Sequence, residues 1–296
     1  MSGTAAGAGL GESGRVGSDR VRDRDVARVL ADVGRIGPWF AVGPVPPGST
    51  PVRWDALYGP ARADGPDALS ERIDGVAAAL HTDRRIAASI AVQGLAARLV
   101  SMPFAAVACH GVLPLLRDLV RDPSAADPWA PLWPGVPAAV GTPDPGADPA
   151  GAADVLAREL AAHLDPLYAA VGARVSVSER VLRGNAVSAI AGAARLVESA
   201  RRPEDSARPG TVGPPRRSGQ AGPSALPESP ASSRSPMLLA ALVGHPALRG
   251  PLPEGATGAV RRTGAAGSGW SFRRRSCCLY VRVPGGGLCG DCVLAP

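Results

Sequence analysis

Four of the five cysteines in this 296-residue chain fall in one stretch near its end, Cys277-Cys278, ten residues, then Cys289-Gly290-Asp291-Cys292. A thiolate set of this size constrains the backbone around it, because its members must meet as a disulfide pair, a zinc site or an iron–sulfur cluster. Structural zinc sites space their paired ligands two to four residues apart, whereas here the first two cysteines are adjacent. Neighbouring side chains of an extended segment point to opposite faces, so the pair can converge only on a turned backbone. A two-iron cluster tolerates that bite more easily than one zinc ion, and both remain open on spacing alone. Between the halves, Leu279-Tyr280-Val281-Arg282-Val283 reads as a short strand and Pro284-Gly285-Gly286-Gly287 as a turn. The segment is thus expected to be strand, glycine-rich turn and cysteine knuckle.

The rest of the chain reads as mainly helical. Alanine and leucine dominate and aromatics supply 4% of residues, which argues against a β-sandwich or barrel. Residues 1–22 are rich in Gly, Ser, Ala and Arg and are expected to be disordered. Their Gly9-Leu10-Gly11-Glu12-Ser13-Gly14 has the form of a dinucleotide fingerprint but no strand before it, so it is read as accidental. A helical domain is expected over 23–202. Val26, Val29, Leu30, Val33 and Ile36 share one helix face, stopped at Gly37-Pro38, and Leu69, Ile73, Val76 and Leu80 mark a second helix. A third begins near Asp83 and is apolar on more than one face. The uncharged window Leu99 to Leu116 is nearly long enough to span a membrane, but Pro103, His110, Gly111 and Pro114 favour a buried helix or two broken ones. Further helices are expected from about Ala152 to Gly172 and Ser176 to Arg201. The passages from Trp39 to Pro66 and Asp122 to Gly151 read as long loops, with Trp54, Tyr58, Trp129 and Trp133 as places to look for substrate contact.

Residues 203–236 turn to Pro, Ser, Gly and Arg and read as a linker, and 237–296 hold a last helix and the cysteine segment. The helix over Met237 to Leu248 is interrupted at Gly244-His245-Pro246. His110 and Cys109 are read as packed residues, and His245 as a turn residue. The net charge of +6 comes from arginine without a long basic run interleaved with aromatics, so no nucleic-acid partner is expected. The first twenty-five residues hold no apolar core suited to a secretory signal, so the expected place is the cytoplasm, where cysteines serve as metal ligands more readily than as disulfides. No transmembrane segment is expected, though peripheral association with a membrane is compatible with the sequence.

Arg274-Arg275-Ser276-Cys277-Cys278-Leu279-Tyr280, continued by Pro284-Gly285-Gly286-Gly287-Leu288-Cys289-Gly290-Asp291-Cys292, resembles the C-terminal segment of the FhuF-like ferric-siderophore reductases. The stretch from Arg98 through Pro103 to His110-Gly111 is similar to a helical segment of the same family. Two departures are visible: Val281 where relatives often carry an aromatic, and Arg183 where they often carry tryptophan before Gly-Asn. Asn185, in that Gly-Asn, is read as no more than structural. The resemblance implies a 2Fe–2S cluster on Cys277, Cys278, Cys289 and Cys292, a ferric siderophore as substrate, and one electron per iron reduced. Such an enzyme needs no catalytic acid, base or nucleophile, and no catalytic residue is assigned. With no nicotinamide or flavin motif, a separate electron-donor protein is expected. Arg273, Arg274, Arg275 and Arg282 flank the ligands and could either offset an anionic cluster or form a solvated basic patch. A non-enzymatic zinc-binding interaction module and an iron–sulfur redox or iron sensor are the alternative readings.

Overall fold

The computed structural model describes residues 21–59, 67–201, 234–263 and 269–295. The disordered stretch expected over 1–22 and the linker expected over 203–236 lie largely outside these residues, as does the GxGxxG match. Helices α1 (Asp23–Gly34), α2 (Ala68–Leu80), α3 (Arg84–His110), α4 (Pro149–Gly172), α5 (Glu179–Arg201), α6 (Arg234–Val243) and α7 (Pro246–Arg249) supply most of the structure. The mainly helical reading therefore holds.

Helix α3 is the centre. Asp83 caps it by accepting the Ile86 amide at 2.9 Å, and Gly111 ends it in the left-handed conformation at φ 63°. Its residues are buried almost without interruption from Leu99 to Ala108, as a helix apolar on every face must be. It is the one helix among the described residues long and apolar enough to cross a membrane, yet most of that length is enclosed by the other helices. Pro103 sits inside it without breaking it. A mid-helix proline removes one backbone hydrogen bond and typically costs about 3 kcal/mol, which packing on all sides offsets.

Helix α5 makes the most extensive contact with α3. The contact is close because the residues that meet are small: Ala88, Ser89, Ala91 and Ala96 on α3, and Gly184, Ala186, Ser188, Ala189 and Ala193 on α5 are all buried. Helix α4, capped by Asp148 at the Gly151 amide, and α6 complete the core on the other flank. Leu238, Leu239, Leu242 and Val243 of α6 join the same apolar cluster as Leu95, Leu99, Leu160 and Val187. His245 caps α7 by accepting the Ala247 amide at Nδ1, as befits a turn residue. His110 lies at the end of α3 with Nε2 3.4 Å from Asp32, and half-buried Cys109 packs on the core.

Short strands occur within the two expected loops and in residues 112–121 between them. Among the described residues β1 (Gly43–Pro44), β5 (Leu132–Trp133), β4 (Val120–Arg121) and β2 (Val52–Arg53) lie side by side in that order, parallel between β1 and β5 and antiparallel elsewhere. The antiparallel pair β3 (Val112–Pro114) and β6 (Ala139–Gly141) forms a second ladder. Strands of two or three residues are too short to display alternation, and Val112–Pro114 falls in the window expected to be helical, where Gly111 in the left-handed conformation ends α3 instead. Trp54 and Trp133 are 1% and 2% exposed and belong to the core.

Strands also occur in the C-terminal segment, but not where the sequence put them. A hairpin of β7 (Gly258–Thr263) and β8 (Gly269–Arg274) precedes the cysteines, with Val260 opposite Phe272. Leu279–Val283 instead holds a 3-10 turn over Tyr280–Arg282. The β-favouring residues are overridden by tertiary packing: Leu279 and Val283 cluster with Ile86 of α3, whereas on an extended strand they would share a face but stand about 13 Å apart, too far to meet one side chain.

Because α3 carries the core, Leu99→Ala is expected to lower the unfolding free energy by about 2–5 kcal/mol. Exposed Leu196→Ala should stay within about 0.5 kcal/mol of the parent in the same urea titration.

Candidate metal centre

Strand β8 delivers the chain to Cys277 and Cys278, and the knuckle at Cys289–Cys292 folds back beside it. The Arg274 amide donates to the Asp291 carbonyl at 3.1 Å, joining the two halves through the backbone. Leu279, directly after the cysteine pair, has φ 68° and ψ −3°. A left-handed non-glycine residue costs on the order of 1–2 kcal/mol, and here burial of the Leu279 side chain against Ile86 and Val283 holds it. This is the turned backbone that two adjacent thiols require. Within the glycine turn, the Gly286 amide donates to the Val283 carbonyl at 2.8 Å, and a Cβ at Gly286 would stand 2.5 Å from the Tyr280 carbonyl.

Cys278 and Cys292 are buried, Cys277 and Cys289 half-buried, and all four are free thiols. The Leu279 amide points at the Cys277 Sγ at 3.3 Å and the Leu294 amide at the Cys292 Sγ at 3.4 Å. Amides aimed at sulfur stabilise thiolates and tune whatever they ligate. Burial, together with the adjacent Cys278, pushes the Cys289 thiol up to about 11, while the Asp291 amide and Arg274 act the other way. Two thiols set against each other in a desolvated site resist ionising together unless a cation shares them.

Three side chains anchor this segment to the helices. Ser89 of α3 donates its hydroxyl to the Cys278 carbonyl at 2.8 Å. Asn185 of α5, fully buried, donates through Nδ2 to the Ser89 carbonyl at 2.7 Å and to its Oγ at 3.0 Å, and accepts at Oδ1 from Nη2 of Arg274. Asp291 accepts from Ser188 of α5 at 2.6 Å and from Arg195. Gly184 permits the approach, since a Cβ there would collide with the Ser276 hydroxyl.

The four flanking arginines separate into two kinds. Arg273, Arg275 and Arg282 are exposed, whereas Arg274 is 1% exposed. Its Nε and Nη1 have no hydrogen-bond partner among the described residues. A buried guanidinium with unpaired donors is costly unless an anion meets it.

The residues suit a 2Fe–2S group on three counts: soft thiolate donors, amides turned to two of the sulfurs, and a buried cation without its counter-charge. Among the described residues no group of three or more His, Cys, Asp or Glu side chains is gathered as one metal ion would require. Cys278 and Cys289 lie within hydrogen-bond reach of each other, while the four cysteines as a set are not drawn together about one point.

A cavity of about 300 Å³ opens beside Cys289 and Gly290, between α3 and α5, with Trp39, Gln93, Arg195 and Leu196 in its lining. Of the aromatics in the two long loops, Trp39 alone borders it; its ring carries the Arg98 guanidinium at 4.4 Å. Trp129 is covered by Arg72 and Arg121. Ser89, Ser188 and the Asp291 carboxylate went unassigned in the sequence. Only Asp291 carried a signal, as a charged residue inside the Cys-x-x-Cys loop.

The segment is rich in thiols, all of them free. Residues 274–294 match the family model described as the FhuF 2Fe-2S C-terminal domain, and the chain is in this respect consistent with an FhuF-like family member. No curated protein and no solved structure gives a significant match.

Asn185→Ala would strip the shared partner from Ser89 and Arg274 at once. It is expected to cost about 1–3 kcal/mol of stability, read by chemical denaturation, whereas exposed Ser271→Ala should change it by less than about 0.5 kcal/mol.

Proposed function

We propose that this chain is an iron–sulfur oxidoreductase that reduces ferric siderophore complexes in the cytoplasm. Cys277, Cys278, Cys289 and Cys292 hold a 2Fe–2S cluster in this reading, and a separate protein supplies the electrons. The observation that carries it is the buried, under-partnered Arg274 beside the thiols, in the segment that matches the FhuF 2Fe-2S domain. A 2Fe–2S group on four thiolates has a net charge of about −2 when both irons are ferric and about −3 after uptake of one electron. That is the anion a desolvated guanidinium lacks.

When bound, such a cluster supplies one-electron transfer, which matches the single electron separating ferric from ferrous iron. Siderophores hold iron through hard oxygen donors that favour the more highly charged ferric ion, so reduction loosens the complex. The chain's own part is to hold four thiolates in a fixed frame, aim amides at two of them, and leave the Cys289 side open to the cavity. Leu279 and Val283 seat the frame on α3, and Asp291 pins it to α5.

Anaerobically purified protein is expected to be brown, with two irons and two sulfides per chain and little zinc. Each of the four Cys→Ser variants should lose most of that colour. A colourless protein carrying one zinc would overturn the reading in favour of an interaction module. A brown protein unable to reduce any ferric chelate would point to a sensor.

Arg274→Gln is expected to favour the less negative, oxidised state. The midpoint potential should fall by about 59 mV for each tenfold shift in the one-electron equilibrium, and one such step or more is expected. Arg273→Gln, solvated, should move it far less because water screens the charge.

A further inference from the structure

Seven large apolar side chains are exposed among the described residues, and six of them surround the cysteines in sequence or in space. Leu288 precedes Cys289 and is 52% exposed; Leu294, whose amide points at the Cys292 sulfur, is 59% exposed. Tyr280 and Val281 follow the cysteine pair, and Trp39 and Leu196 line the cavity that Cys289 borders. Single exposed apolar residues are ordinary, but a collection at one end of a molecule marks an interaction surface.

The exposed charges flanking the cysteines in sequence are arginines. Arg273, Arg275 and Arg282 are exposed, and none of the three ion-pairs with a carboxylate among the described residues. The acidic residue within the knuckle, Asp291, is buried and already taken by Ser188 and Arg195. An apolar centre with uncompensated arginines at its rim complements a partner that is apolar at its contact and acidic around it.

We propose that this arginine-rimmed apolar collar is the docking surface for a small acidic electron-transfer protein, which delivers its electron to the cysteine segment from this side. The proposal rests on the iron–sulfur reading above. One electron leaves the reduced partner, which is oxidised by one, and this chain is reduced by one; no proton or group is transferred. Electron exchange weakens steeply with distance, so the donor must sit over the cysteines, and the unpaired arginines are where an acidic protein is steered. A free anionic chelate would also be attracted, but it would not need six apolar side chains to hold it.

The test uses the full chain and a plant-type 2Fe–2S ferredoxin as an acidic probe. Binding of the oxidised ferredoxin is read by titration calorimetry, and electron delivery from the reduced form by anaerobic stopped flow. Raising the salt from about 0.05 to about 0.3 M should slow delivery by about tenfold or more. Arg275→Glu with Arg282→Glu, and separately Leu288→Glu, should each weaken binding and slow delivery by about tenfold. Reduction by dithionite and the absorption spectrum should not change.

Salt-independent delivery that is also indifferent to both variants would overturn the proposal. So would a concentration-dependent dimer abolished by Leu288→Glu, which would make the collar a self-interface. Sedimentation with anionic phospholipid vesicles, lost in Leu288→Glu and without any ferredoxin binding, would assign it to a membrane surface and overturn it too. Because binding is read on its own, a colourless chain that binds ferredoxin refutes the redox function and spares the surface. A brown chain that does not bind refutes the surface alone.

Discussion

One buried side chain links both central helices to the cysteine segment. Asn185 reaches from α5 to Ser89 on α3 and to Arg274 at the end of β8, and Ser89 in turn holds the Cys278 carbonyl. Buried polar groups are expensive when unmet and specifying when met. This node therefore does more than stabilise: it fixes the register of the cysteine segment against α3 and α5. The remaining features depend on that register. The Gly184 approach to Ser276, the seat of Leu279 on Ile86 and the link from Ser188 to Asp291 would all be lost if the segment slid along the helices.

The helical body can be understood as the support for this node. Small residues on α3 and α5 bring the two backbones close, and only a close pair lets one asparagine span both. The surrounding apolar cluster excludes water, which makes the hydrogen bonds at Asn185 strong and leaves the unpaired guanidinium donors of Arg274 in want of an anion. Stability and the proposed redox role thus draw on the same desolvation. The glycine turn and the left-handed Leu279 add a local cost that the contact with Ile86 offsets.

The organisation at the surface follows a different logic. Arg274 is enclosed, while its neighbours Arg273 and Arg275 face solvent, because alternate residues of a strand project to opposite sides. One three-residue basic run therefore supplies both a buried guanidinium and an outward rim. Six of the seven large apolar side chains exposed among the described residues lie near the cysteines.

Much of this was legible in the chain. The helix starts at Asp83 and near Ala152, the stop near Gly37, the break at His245 and the four thiols all follow from capping chemistry, periodicity and ligand chemistry, which act over a few residues. The two-residue strands were not legible, since so short a pattern has no period. Leu279–Val283 was misread as a strand because β-propensity is a weak preference that packing on α3 overrode. Nor could the sequence distinguish Arg274 from the arginines beside it, or show that Asn185, Ser89 and Ser188 converge on a segment some ninety to two hundred residues away. The sequence by itself determined which atoms are available to bind a soft metal and which segments are helical, because those are local properties. Tertiary structure alone decided which charge is buried, which polar groups meet and which face is left open, because those depend on desolvation by residues distant along the chain.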